Sequence, residues 1–182
     1  MFSPIVLTLN GNSYSWDGNH WYGTTDYTVP SLAIINRLNA SIADQVAAED
    51  AAVTDLSELL SRAKRAQATG QLQRALRLAR RAFEGNRKHL GAAAVLCGVL
   101  REIGRPTEAL AIANTAGVYE YPPILTTRAA ALCDLGQWNE ALRQINAVIA
   151  NGVKRTGRGS DQALAVRGRI KANAPDLFEK AS

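Results

Sequence analysis

Gly70-Gln71-Leu72-Gln73-Arg74-Ala75-Leu76 returns twice along the chain, as Gly104-Arg105-Pro106-Thr107-Glu108-Ala109-Leu110 and as Gly136-Gln137-Trp138-Asn139-Glu140-Ala141-Leu142. The glycines are 34 and then 32 residues apart. The match extends both ways. Seven residues before each glycine stands a small residue (Ala63, Cys97, Ala129), and four before it comes Ala66, Leu100 or Leu132. Four and seven residues after each shared alanine come Ala79 and Ala82, Ala113 and Ala116, then Ile145 and Val148. A fixed period of this length marks stacked supersecondary units, none able to bury its apolar face alone. The expected fold is therefore mainly α, with paired helices presenting an extended surface.

Each repeated position has a physical reason. A glycine ends the first helix of a pair because a left-handed backbone costs it least. Ala75, Ala109 and Ala141 let paired helices approach closely, while Leu76, Leu110 and Leu142 fill the space between units. The helix pairs are expected at 55–69 and 72–84, at 89–103 and 106–116, and at 123–135 and 138–150, with Gly152 past the last end. On these residues the chain resembles the tetratricopeptide repeat, a helix-turn-helix unit of about 34 residues, over residues 54–152. Leu59, Ala93 and Leu125 stand where that family places a bulky aromatic residue. The resemblance implies a right-handed superhelical solenoid whose first helices line a concave, peptide-binding groove. Its lining would be Lys64, Gln67 and Ala68, then Gly98, Arg101 and Glu102, then Ala130, Cys133 and Asp134. That set lacks the Lys and Asn density of a carboxylate clamp, so a helix or extended segment is the expected ligand.

Residues 1–30 differ from everything after them. Ile5 to Leu9 reads as a strand, Asn10-Gly11 as a tight turn, and Ser13-Tyr14-Ser15-Trp16 alternates as a half-buried strand does. Asp17-Gly18 offers a second turn before His20-Trp21-Tyr22, which predicts a small β-meander. So few strands are marginal alone and should lean on a helix. Residues 31–53 supply one, with Pro30 in its first turn and Leu32, Ile35, Leu38, Ile42 and Val46 at helical steps. Whether that helix bends near Asp50 or runs into the first repeat stays open. After the repeats, residues 153–182 read as a basic loop, Lys154 to Gly159, and a capping helix begun by Ser160. From Pro175 onward a frayed end is expected.

The 182 residues carry a net charge of +5, unevenly spread. Residues 1–57 hold one Arg against six acidic residues, and residues 58–88 hold nine basic against two acidic. Residues 89–152 hold four basic against five acidic, and 153–182 seven against three. No apolar run is long enough to span a bilayer and the N-terminus does not read as a signal peptide, so a cytoplasmic location and no membrane partner are expected. Cys97 and Cys133 then read as two reduced thiols.

Catalysis finds little support. His20 and His89 have no partners at metal-ligand spacing, and no phosphate-binding loop or serine elbow is present. No cofactor and no metal are expected. Three surfaces are candidate partner sites. In the groove they are Lys64, Gln67, Arg101, Glu102 and Asp134. On the second helix of the first repeat, Arg74, Arg77 and Arg81 share one outward face bordered by Arg80. That stripe could meet an acidic protein, a nucleic-acid backbone or only solvent, or it could pair with the acidic N-terminal segment in the same or a second chain. The third candidate is the aromatic cluster of Tyr14, Trp16, Trp21 and Tyr22, with Tyr27 nearby, which serves either as interface anchors or as a small core. The expected function is non-enzymatic: an adaptor, scaffold or assembly subunit binding an acidic or amphipathic-helix protein surface, with self-association as one form. Nucleic-acid association through the first repeat and the 154–158 loop is the alternative.

Overall fold

The computed structural model describes residues 5–16, 20–25, 28–115, 121–156 and 160–179, with the backbone alone at 153–156. The Asp17-Gly18 turn, Tyr27, Ala116 and Arg158 lie outside the described residues. The chain divides into two compact units, Met1–Val53 and Thr54–Ser182.

The first unit is a meander on a helix. Strands β1 (Ile5–Leu9), β2 (Asn12–Trp16) and β3 (Trp21–Gly23) form an antiparallel sheet in that order. Asn10 and Gly11 connect β1 to β2 with φ of 53° and 79°, the paired positive values that a type I′ hairpin turn requires. The register sets Leu7 opposite Tyr14 and Trp16 opposite Trp21. Helix α1 (Leu32–Ala52) sends Ile34, Ile35, Leu38 and Ile42 into one cluster with Leu7, Leu9, Tyr14, Trp16 and Trp21. The other sheet face carries Val6, Thr8, Ser13, Ser15 and Tyr22, with the Thr8 and Ser13 hydroxyls 3.1 Å apart across β1 and β2. Leu32 was expected on the apolar face of α1 but is 73% exposed. It is the first residue of the helix, and Ile34 joins the cluster instead.

The second unit is a stack of helix pairs. Helices α2 (Leu56–Ala68) and α3 (Leu72–Gly85) form the first pair, and α4 (Leu90–Glu102) and α5 (Pro106–Thr115) the second. The third is α6 (Pro122–Asp134) with α7 (Trp138–Thr156). The chain breaks between α1 and α2 because Asp55 caps α2, its side chain accepting from the Glu58 amide at 2.8 Å. Each pair turns at its glycine: Gly70, Gly104 and Gly136 have φ of 73°, 77° and 72°. In each turn the next residue donates back to a carbonyl five positions earlier, Gln71 to Ala66, Arg105 to Leu100 and Gln137 to Leu132, at 2.8–2.9 Å. That closes the orphan carbonyls at the helix end in a Schellman motif. A Cβ at these glycines would meet nothing within 4 Å, so backbone conformation rather than crowding selects glycine.

The repeated small residues are the contact points. Ala63, Cys97 and Ala129 are wholly buried, as are Ala75, Ala109 and Ala141. Leu110 and Leu142 pack on the cluster of Ala129, Leu132, Ala141, Ile145 and Val148.

Two expectations at the C-terminal end need correction. Helix α7 does not stop before Gly152 but runs to Thr156, taking the first residues of the expected basic loop into a helix. Gly152 lacks the positive φ of the three turn glycines. One glycine costs a helix interior only about 1 kcal/mol, less than the burial of Ile145 and Val148 contributes. Nor does structure end at Pro175: Asp176–Glu179 forms a short α9, whose Leu177 and Phe178 join the third-repeat cluster. Before it comes α8 (Asp161–Asn173), capped by Ser160, whose hydroxyl accepts from the Ala163 amide at 3.2 Å.

Candidate interaction surfaces

The first helices stand side by side, α2 against α4, α4 against α6 and α6 against α8. A polar ladder crosses them near their C-terminal ends. Gln67 Nε2 donates to Glu102 Oε1 at 2.6 Å. Arg101 Nε donates to Asp134 Oδ2 at 2.7 Å, and Arg169 Nη1 donates to Asp134 Oδ1 at 2.5 Å. Each rung joins residues 33–35 positions apart, one repeat length. Four of the five expected groove residues therefore satisfy one another or α8, and the fifth, Lys64, is exposed. Ala130 and Cys133, expected in the groove lining, are only 4% and 2% exposed. For Cys133 the cause is α8, which packs on α6 and places Ala163 and Ile170 in one cluster with that thiol.

The second-helix side of the first repeat is different. Helix α3 buries Ala75, Leu78, Ala79, Ala82 and Phe83, which turns Arg77 and Arg81 outward to solvent. Arg74 is half-buried, and its Nη1 donates to Gln71 Oε1 at 3.2 Å. Three other cations of this repeat are spent on carboxylates. Arg62 lies 2.7 Å and Arg65 3.7 Å from Glu58. Arg80 reaches Glu108 of α5 at 2.6 Å, where Arg105 also binds. The side chains of Lys64, Arg77, Arg87 and Lys88 are exposed and have no carboxylate partner among the described residues. Uncompensated charge of one sign attracts anions, over about 8 Å at physiological salt.

The aromatic cluster divides by sheet face. Trp21 is 1% and Tyr14 8% exposed, and the Trp21 indole donates to Asn39 Oδ1 at 2.9 Å. Both are core residues rather than anchors, because strand alternation points them at α1. Trp16 packs 5.5 Å from Trp21 and is half-buried. Tyr22 lies on the opposite face, opposite Ser15 in the register, with its ring 6.2 Å from that of His20.

This geometry matches solved structures. The Sgt2 TPR domain from Aspergillus fumigatus superposes with a TM-score of 0.58, covering 71% of this chain and 85% of that one, at 17% identity. TTC0263, a thermophilic TPR protein in Thermus thermophilus, gives a TM-score of 0.51 over 81% of this chain and 89% of its own, at 20% identity. The chain has a tetratricopeptide-type fold. No family model matches it, and no curated protein matches its sequence.

Within the tetratricopeptide-type stack, α8 holds the place of a fourth first helix. Its buried Ala163 follows Ala129 by 34 residues, the same period as Ala63 to Cys97, a signal that sequence reasoning passed over. The thiols are inert parts of this stack. Both are free and buried. Burial pushes the Cys97 thiol up to about 12, only partly opposed by the Ala113 backbone and Arg101, and raises Cys133 as well. Such thiols stay protonated and unreactive at neutral pH. Cys97 Sγ donates to the Ala109 carbonyl at 3.2 Å, tying α4 to α5. Among the described residues no three His, Cys, Asp or Glu side chains gather as a metal site, and no helix is long and apolar enough to cross a membrane.

Proposed function

We propose that this chain is a non-enzymatic protein-binding module, an adaptor, scaffold or assembly subunit, that docks an acidic partner surface on the outward side of its first repeat. One observation carries the reading: the cations of residues 58–88 outnumber the carboxylates available to them, and Arg77, Arg87 and Lys88 are left facing solvent. The groove fits a charged ligand less well, since Gln67, Glu102, Arg101 and Asp134 already bond to one another and Arg169. A ligand there would have to replace those bonds, whereas one on the stripe adds contacts without breaking any at Arg77. Opposite charge at two surfaces speeds encounter and fixes orientation. Residues 1–57, net acidic, make a second copy of this chain one partner of that kind. A cytoplasmic setting agrees with two free thiols.

Reversing Arg74, Arg77 and Arg81 to Glu tests the reading. The variant should keep the wild-type circular dichroism spectrum and lose the protein that co-purifies with the wild type from its native cell after nuclease treatment. A partner retained by the variant refutes the stripe. The charge excess also admits a phosphate backbone as ligand. Gel shifts with DNA and RNA at about 150 mM salt decide this: sub-micromolar binding, tighter than ordinary non-specific affinity, would replace the protein reading.

A further inference from the structure

A recess opens between α3 and α5, about 370 Å³ in volume. Its floor is apolar: Phe83 and Leu96, 7% and 2% exposed, with half-buried Ile112 beside them. The Arg80–Glu108 ion pair closes one wall at 2.6 Å and tethers α3 to α5. Glu84, Arg87 and Thr115 stand exposed at the mouth. We infer that this recess is the specificity socket of the basic face, taking one large apolar side chain, aromatic or leucine, from an acidic peptide segment of the partner.

Three features converge on that occupant. The volume lies near the lower end of the range for ligand pockets, too small for a folded element and enough for one or two side chains. The lining charges balance, Arg80 and Arg87 against Glu84 and Glu108, so the recess itself selects for apolar matter over an ion. The preference for acid comes from the neighbouring face of α3. At about 100° per residue, Arg77 lies roughly 20° and Arg81 roughly 60° around α3 from Glu84 at the mouth, while Arg87 follows just past the end of that helix. A peptide whose apolar residue enters the recess therefore lays its flanking carboxylates against exposed guanidinium groups. Binding energy commonly concentrates in such an anchor, seated in a dry pocket and ringed by polar contacts. A phosphate backbone has no group for an apolar floor flanked by Glu84. This inference rests on the acidic-partner reading and adds the residue by which that face would tell one acidic peptide from another.

The test pans a phage-displayed random 12-residue peptide library against the full chain at about 150 mM salt. Affinities of selected peptides are then measured by fluorescence anisotropy against wild type, Thr115→Trp, Arg87→Glu and the triple Arg74, Arg77, Arg81→Glu variant. Thr115 and Arg87 are exposed, and melting curves verify that the variants fold. The inference expects one large apolar residue among Asp and Glu in the enriched peptides. Replacing it with Ala, or filling the mouth with Thr115→Trp, should weaken binding at least tenfold, with a smaller loss for Arg87→Glu. Acidic peptides with no fixed apolar residue, bound equally by Thr115→Trp, would overturn the socket while leaving the basic-face reading intact. Peptides bound equally by the triple variant would overturn both, and a library yielding no specific binder would overturn the socket.

Discussion

The two units build a buried core in different ways. The Met1–Val53 unit concentrates burial in a few large side chains: Trp21, Tyr14 and Leu38 form its centre, wedged between a three-stranded sheet and one helix. The Thr54–Ser182 unit also buries large side chains, among them Leu78, Leu96, Leu100, Ile124, Ile145 and Ile170, but relies on small ones where helices cross, with Ala63, Ala75, Ala79, Ala92, Ala93, Ala109, Ala129 and Ala141 all wholly buried. A core of few large residues fails when atoms are removed. A core of alanines at helix crossings fails when atoms are added. The first kind tolerates sequence drift at its edges, whereas the second imposes a period on the whole sequence.

The sharpest way to break this contrast is Trp21→Ala. It removes the largest fully buried side chain and strands Asn39 Oδ1 without its donor, and buried Trp→Ala changes cost about 3–5 kcal/mol. Hydrogen exchange should show residues 5–16 and 32–46 losing protection; an unchanged exchange pattern would mean that the indole is not the centre of this unit. In the stack the corresponding insult is Ala109→Leu, expected to cost about 1–3 kcal/mol by overpacking. Cys97 reports on it directly, since its thiol bonds the Ala109 carbonyl. With that thiol pushed up to about 12, wild-type Cys97 should resist iodoacetamide at pH ~8, below its pKa, while the variant labels. Equal protection in both would contradict a tight α4–α5 contact.

Glycines sharpen the comparison at smaller scale. Gly104→Ala should destabilise by roughly 1–2 kcal/mol, the cost of a left-handed residue with a Cβ, although no atom would be struck. Gly168→Ala, in α8 with open space and no positive φ, should stabilise by about 0.5–1 kcal/mol. Thermal melts that moved both variants in the same direction would refute the distinction between turn and helix glycines. The smallest effect is expected at the ladder. Asp134→Asn weakens two partly exposed pairs, each worth below about 1 kcal/mol, and the loss should shrink at high salt. A loss that did not depend on salt would point to burial rather than charge.

The sequence by itself determined whatever depends on neighbours along the backbone. Gly70, Gly104 and Gly136 end helices because the last turn needs a left-handed residue, and Asn10-Gly11 makes a hairpin for the same local reason. The alanine period follows from it, since a stack of equal units must repeat its crossings. Gly152 marks the limit of that local logic: its cost is small enough for a buried helix face to overrule. Only tertiary structure decided the surfaces. Gln67 meets Glu102, and Asp134 meets Arg101 and Arg169, across one repeat length, and such pairs depend on how neighbouring helices are phased. Burial of Cys133 beside α8, and the recess floored by Phe83 and Leu96, arise in the same way. Periodicity says which residues turn inward along one helix, but which of the remainder meet each other is set by distances between helices that no single helix encodes.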